Sequence, residues 1–151
     1  MRDMPQCVPF ALMLVMALLS RGSAFAQPSM VAKESIYNPG RYITEKRIKE
    51  VYEAFQNLVR PEKSPLSMVD AREIVTAGTF SAMAQSCGLP WEERIFLPMM
   101  ARYRHGRKLN ERYMKLVGFM HGFQQGTVLK ALPADACTPD IREFLKENLE
   151  I

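Results

Sequence analysis

The apolar run from Val8 to Leu19 decides which part of this chain has to fold on its own. Arg2 precedes it, and Ala24-Phe25-Ala26 follows with the small-x-small pattern that a signal peptidase cuts. About a dozen apolar residues fall short of the roughly 20 that cross a bilayer as a helix, so the run reads as a cleavable export signal and not as an anchor. No later stretch is long and apolar enough to span a membrane. The expected organisation is an export signal at 1–26, a flexible leader at 27–43 and a single domain at 44–151, periplasmic or secreted and soluble after cleavage.

Export changes the meaning of the cysteines. Of the three in the chain, Cys7 lies in the signal, which leaves Cys87 and Cys137 in an oxidising compartment. Two cysteines there point to one disulfide, the alternative being two buried thiols. A bridge closing a loop of about 50 residues removes on the order of 4 kcal/mol of unfolded-state entropy in the simple chain treatment.

The remaining pattern is helical throughout. Thr44 is a good N-cap for a helix carrying Ile48, Val51, Tyr52, Phe55, Leu58 and Val59 at helical spacing, ended by Pro61. Ser64-Pro65 predicts a second start, and Cys87-Gly88 a stop at which glycine takes the left-handed conformation. A third helix follows Pro90 to about Arg104 and should be kinked or divided at Pro98, with His105-Gly106 closing it. A fourth runs from about Leu109 to Gly126 or slightly beyond. Thr138-Pro139 opens a fifth with Ile141, Phe144, Leu145 and Leu149 on one face. With no strand or hairpin signal, the expected fold class is all-α, a compact bundle of about five helices with one disulfide.

Charge is concentrated. Beyond residue 26 there are 18 Lys and Arg against 15 Asp and Glu, and the stretch Arg102 to Lys115 holds four Arg and two Lys against Glu111 alone. Arg102, Tyr103, Arg104, Arg107, Lys108, Arg112 and Tyr113 mix planar donors with aromatic faces, a composition suited to an acidic partner. In an exported protein that partner is another protein or an anionic component of the cell envelope, and not nucleic acid. A solvated helix connection would account for the same residues.

Gly118, Gly122 and Gly126 fall four apart on the fourth helix. Each interior glycine costs roughly 1 kcal/mol relative to alanine, so a compensating close helix approach is expected there, with Phe119, Met120 and Phe123 around it. A groove for an apolar ligand or partner helix, or capping at Gly126, are the other readings. His105 and His121 lie sixteen apart, too far for a pair on one helix, although Met99, Met100, Met114 and Met120 would be soft neighbours for copper. Ser81, Ser86, Glu92 and Glu93 form no nucleophile elbow, carboxylate pair or metal-binding motif. The expectation is therefore no catalytic residues, no metal and no cofactor.

Tyr113, Gly118 and Gly122, then Cys137-Thr138-Pro139 and Phe144-Leu145-Lys146-Glu147-Asn148, resemble a pattern in exported helical proteins that include an acid-stress chaperone and the immunity proteins against amidase toxins. That resemblance implies a non-enzymatic protein that binds another protein in the periplasm. The sequence thus leads to an exported protein-binding module such as an inhibitor, immunity factor or chaperone, with a soft-metal carrier or a small cell-wall enzyme as alternatives.

Overall fold

Caps set the boundaries of the helices in the computed structural model, which describes residues 37–59 and 65–149. The expected export signal and residues 27–36 lie outside the described residues. Thr44 Oγ1 accepts the Arg47 amide at 3.1 Å and opens α1, Glu45–Val59. Helix α2, Met68–Ser86, starts at Ser67, later than the Ser64-Pro65 signal suggested. The reason is a capping box: Ser67 Oγ accepts the Asp70 amide while Asp70 accepts the Ser67 amide. It ends as expected, with Gly88 at φ 64° and the Leu89 and Gly88 amides bonded back to the Ala84 and Gln85 carbonyls.

Residues 92–106 form α3, which is unusual in its winding. A π-helical turn, Glu92–Phe96, leads into a short α-helical piece, Leu97–Ala101, and a second π turn, Arg102–Gly106. Pro98 has no amide to give, and the wider turn before it, closed by Leu97 N–H to the Glu92 carbonyl, absorbs the missing bond without a break. Lys108, and not Gly106, takes the left-handed residue of the next turn, at φ 53°. Asn110 then caps α4, Glu111–Ala131, and Thr138 with Pro139 opens α5, Pro139–Asn148. The described residues contain five helices and no strand, an all-α bundle.

Helices α2 and α4 pack most extensively. Their axes come close at Gly78, where a Cβ would lie 2.7 Å from the His121 carbonyl oxygen and 3.0 Å from Gln124 Cβ. The close approach expected over Gly118, Gly122 and Gly126 is therefore at a different glycine. Gly122 and Gly126 have nothing within 4 Å of a built Cβ, and Gly118 meets only Met100 Cε at 3.8 Å, because this face of α4 turns away from the core. Polar pairs stitch the same interface: Gln124 Nε2 donates to the buried Thr79 Oγ1 at 2.9 Å, and Gln125 Nε2 to Gln85 Oε1 at 2.6 Å nearer the surface.

The Cys87–Cys137 disulfide, Cα atoms 5.3 Å apart, ties the end of α2 to the residue before the α5 cap. Tyr37 covers it, its hydroxyl bonded to Ser86 and 3.6 Å from Cys87 Sγ. Asn38 caps a 3-10 turn, Pro39–Arg41, and the Tyr42 carbonyl accepts from Gln124. Residues 37–43, expected as the end of the leader, thus belong to the packed domain. Leu145 on α5 and Leu149 at its C-cap are buried, whereas Phe144, expected beside them, faces outward.

Asp70 ties the start of α2 to the end of α3. It is buried, its Oδ2 accepts from both the Ser67 amide and hydroxyl at 2.7 Å, and both its oxygens receive the Arg107 guanidinium. Its carbonyl accepts the buried Tyr103 hydroxyl at 3.4 Å. Burial alone would raise the carboxyl, but the Ser67 hydrogen bonds and then Arg107 outweigh it and hold it below its ordinary range.

Asp70→Ala should cost about 2–3 kcal/mol and Arg107→Ser about half that, measured as urea unfolding free energies. Arg104→Ser, on the same basic segment, should stay within about 0.5 kcal/mol. Equal effects at positions 104 and 107 would contradict the clamp. Reduction of Cys87–Cys137 should lower the melting temperature by several degrees, since the cross-link constrains the unfolded chain by on the order of 4 kcal/mol; an unchanged melting curve with two titratable thiols would contradict it.

Candidate functional site

The charged side chains of the basic segment stay at the surface, and three of its arginines pair with acidic residues of this chain. Arg107 is held by Asp70 and also reaches the Pro65 carbonyl at 3.4 Å. Arg102 pairs with Glu73, and Arg104 lies 3.6 Å from Glu111. Tyr103 is only 1% exposed, so it cannot offer a face to a partner, contrary to the sequence expectation. Tyr113 is half-buried against the core, while Lys108 and Arg112 are exposed. Composition marked this stretch because both solvated and clamping arginines look alike in sequence.

Two grooves stand out instead. The first lies between α2 and α3, has a volume of about 440 Å³ and is walled by Val69, Arg72, Glu73, Ile95, Met99 and Arg102. Ile95, Met99 and Arg102 follow one another at intervals of four and three along α3, which places them on one wall. Opposite them, Val69, Arg72, Glu73 and Thr76 repeat at helical spacing on α2. Apolar side chains thus line the groove and two guanidinium groups border it.

The second groove lies between α1 and α4, has a volume of about 240 Å³ and is lined by Phe55, Leu58, Phe119, Met120 and Phe123 among others. Leu58, Phe119 and Phe123 are 55%, 56% and 49% exposed. The two phenylalanine rings stack with centroids 6.2 Å apart, and the Arg47 guanidinium lies 4.9 Å above the Phe123 ring. Arg47 is held there by Gln124 Oε1 at 2.7 Å and Thr127 Oγ1 at 3.0 Å. The periodicity of α1 and α4 identified these apolar residues but placed them inside, Leu58 on a core-facing stripe and the phenylalanines around a helix contact.

Ser81 and His121 share a buried hydrogen bond at 2.9 Å between Oγ and Nε2. The His121 ring stacks near Trp91, centroids 6.2 Å apart, and meets Phe96 at 4.9 Å. Ser81 has no exposed surface, so this pair packs the α2/α4 interface and offers no nucleophile to a substrate. Nε2 of His121, the donor proposed for a soft metal, is engaged by Ser81, and His105 is exposed at the end of α3. Among the described residues no group of three His, Cys, Asp or Glu side chains gathers as a metal site, and no helix is long and apolar enough to cross a membrane. Glu92 and Glu93 are exposed in the first turn of α3, where the helix dipole favours acidic residues. No known protein family, curated protein or solved structure matches this chain.

Burial lowers the His121 imidazole from its ordinary 6.5 to about 4. Between those values the unfolded chain binds a proton that the folded chain refuses. Stability is therefore complete above about pH 6.5 and falls as the pH drops toward 4, by on the order of 3 kcal/mol for this group. His121→Gln should flatten the unfolding free energy across that window relative to the parent. A parent and variant of equal slope would show that the ring is not the source.

Proposed function

We propose that this chain is an exported, non-enzymatic protein-binding module, of the inhibitor, immunity-factor or chaperone kind, and that it engages its partner through the α1/α4 face. The supporting observation is the exposed Leu58, Phe119 and Phe123 cluster with Arg47 fixed over an aromatic ring. Aromatic residues and arginine are enriched in the centres of protein interfaces, and an exposed apolar patch is unfavourable until something covers it. The cleft favours a protein over a small molecule by size: about 240 Å³ is below the roughly 300–1,000 Å³ of ligand pockets, yet sufficient to seat a partner side chain. The signal-like sequence at 1–26 and the disulfide accord with a periplasmic or secreted location.

Affinity capture from envelope and culture fractions, followed by measured binding of the captured protein, tests this reading. Phe119→Ser with Phe123→Ser should weaken that binding by at least about tenfold while leaving the melting temperature within a few degrees, because both rings are half exposed. Arg104→Ser and Lys108→Ser should bind within about threefold of the parent. Undiminished binding by the double phenylalanine variant would remove the face from consideration.

A further inference from the structure

We propose that the α2/α3 groove binds a single-chain anionic amphiphile, a carboxylate at the mouth held by Arg72 and Arg102 and an apolar chain laid along Val69, Ile95 and Met99. This site is separate from the α1/α4 face and independent of its role. At about 440 Å³ it falls within the size range of small-molecule pockets. Its chemistry is divided in the way such a ligand requires. Ile95 and Met99 are buried and give an apolar wall, Val69 opposite is exposed, and the guanidinium groups come one from each flanking helix.

The arginines are available at little cost. Arg72 pairs with Glu45 and Arg102 with Glu73, and in both pairs the arginine is about half exposed. Each guanidinium carries five N–H donors and meets its glutamate through one nitrogen, so a ligand carboxylate can join the remaining donors without displacing Glu45 or Glu73 before the apolar chain adds its burial. Glu73 Oε1 is buried and stays paired with Arg102. A planar guanidinium can also hold a second carboxylate through two parallel bonds from its other N–H groups. The winding of α3 matters as well: Arg102 opens the second π turn, and such widened turns are frequent at functional sites.

Calorimetric titration of the purified protein with laurate below its micelle concentration tests the proposal, with dodecyltrimethylammonium and dodecanol as cationic and neutral probes of the same chain length. Laurate should bind saturably at one site, at least about tenfold more tightly than either control. Trp91, the single tryptophan and one helical turn from Ile95, should report the same event by fluorescence. Arg102→Gln and, separately, Arg72→Gln should each weaken laurate by about tenfold or more and leave dodecanol unchanged. Thr76→Phe, which fills the groove from a half-buried position, should abolish both. Melting curves identify any variant that fails to fold, and the two arginine variants are independent of each other. Equal affinity for laurate and dodecyltrimethylammonium, or arginine variants that bind laurate like the parent, would overturn the site. Tighter binding of an acidic peptide of alternating Glu and Leu than of laurate would assign the groove to a protein segment and overturn it too.

Discussion

The Asp70 carboxylate is the point on which the rest of the arrangement depends. A buried carboxylate is costly unless several donors surround it, and here the Ser67 amide, the Ser67 hydroxyl and the Arg107 guanidinium all do. Those donors come from the start of α2 and the residue just after α3. Satisfying one charge therefore fixes the N-terminus of α2, the end of α3 and, through the Asp70 carbonyl and Tyr103, the separation of the two helices. The α2/α3 groove is the space left when two helices are pinned at that end and the wide α3 runs on toward Trp91.

A second constraint acts at the centre. Gly78 lets the α4 backbone approach where any side chain would collide with the His121 carbonyl. Backbones at that distance leave room for short polar side chains, and Thr79 and Ser81 on α2 find partners in Gln124 and His121 on α4, with Gln85 and Gln125 paired nearer the surface. Such an interface specifies its register more narrowly than an apolar one, because a shift would leave several buried donors and acceptors unpaired. It also fixes the rotation of α4. With Val117, His121, Gln124 and Val128 turned inward, the three spaced glycines and the Phe119–Phe123 pair necessarily point outward.

The two grooves follow from these two constraints and differ in chemistry for the same reason. On the α1/α4 side the outward rotation leaves aromatic rings at the surface with a single fixed guanidinium above them, a shallow apolar site. On the α2/α3 side the charged residues of α2 meet the last turn of α3, so a larger apolar trough is bordered by two guanidinium groups, each paired with a glutamate. The disulfide lies away from both, at the far end of α2, where it holds α5 and the Tyr37 segment against the bundle.

Local chemistry made much of this legible in the chain itself. Thr44, Gly88 and Thr138-Pro139 act at the caps read from their side chains or lack of one, because capping involves groups only a few residues apart. The helical periodicity and the cysteine pair were equally plain, and they determined an all-α bundle with one bridge. What the sequence could not settle was which residues face which. Arg107 and Arg104 are the same residue type in one basic run, yet only Arg107 meets a buried carboxylate 37 positions earlier. Gly78 was unremarkable beside the regular spacing of Gly118, Gly122 and Gly126, yet it is the one under another helix. Ser67 caps α2 because Asp70 closes the box and is itself anchored from α3. These choices rest on contacts between residues distant in the chain, so they exist only once the helices have packed, and tertiary structure alone decided them.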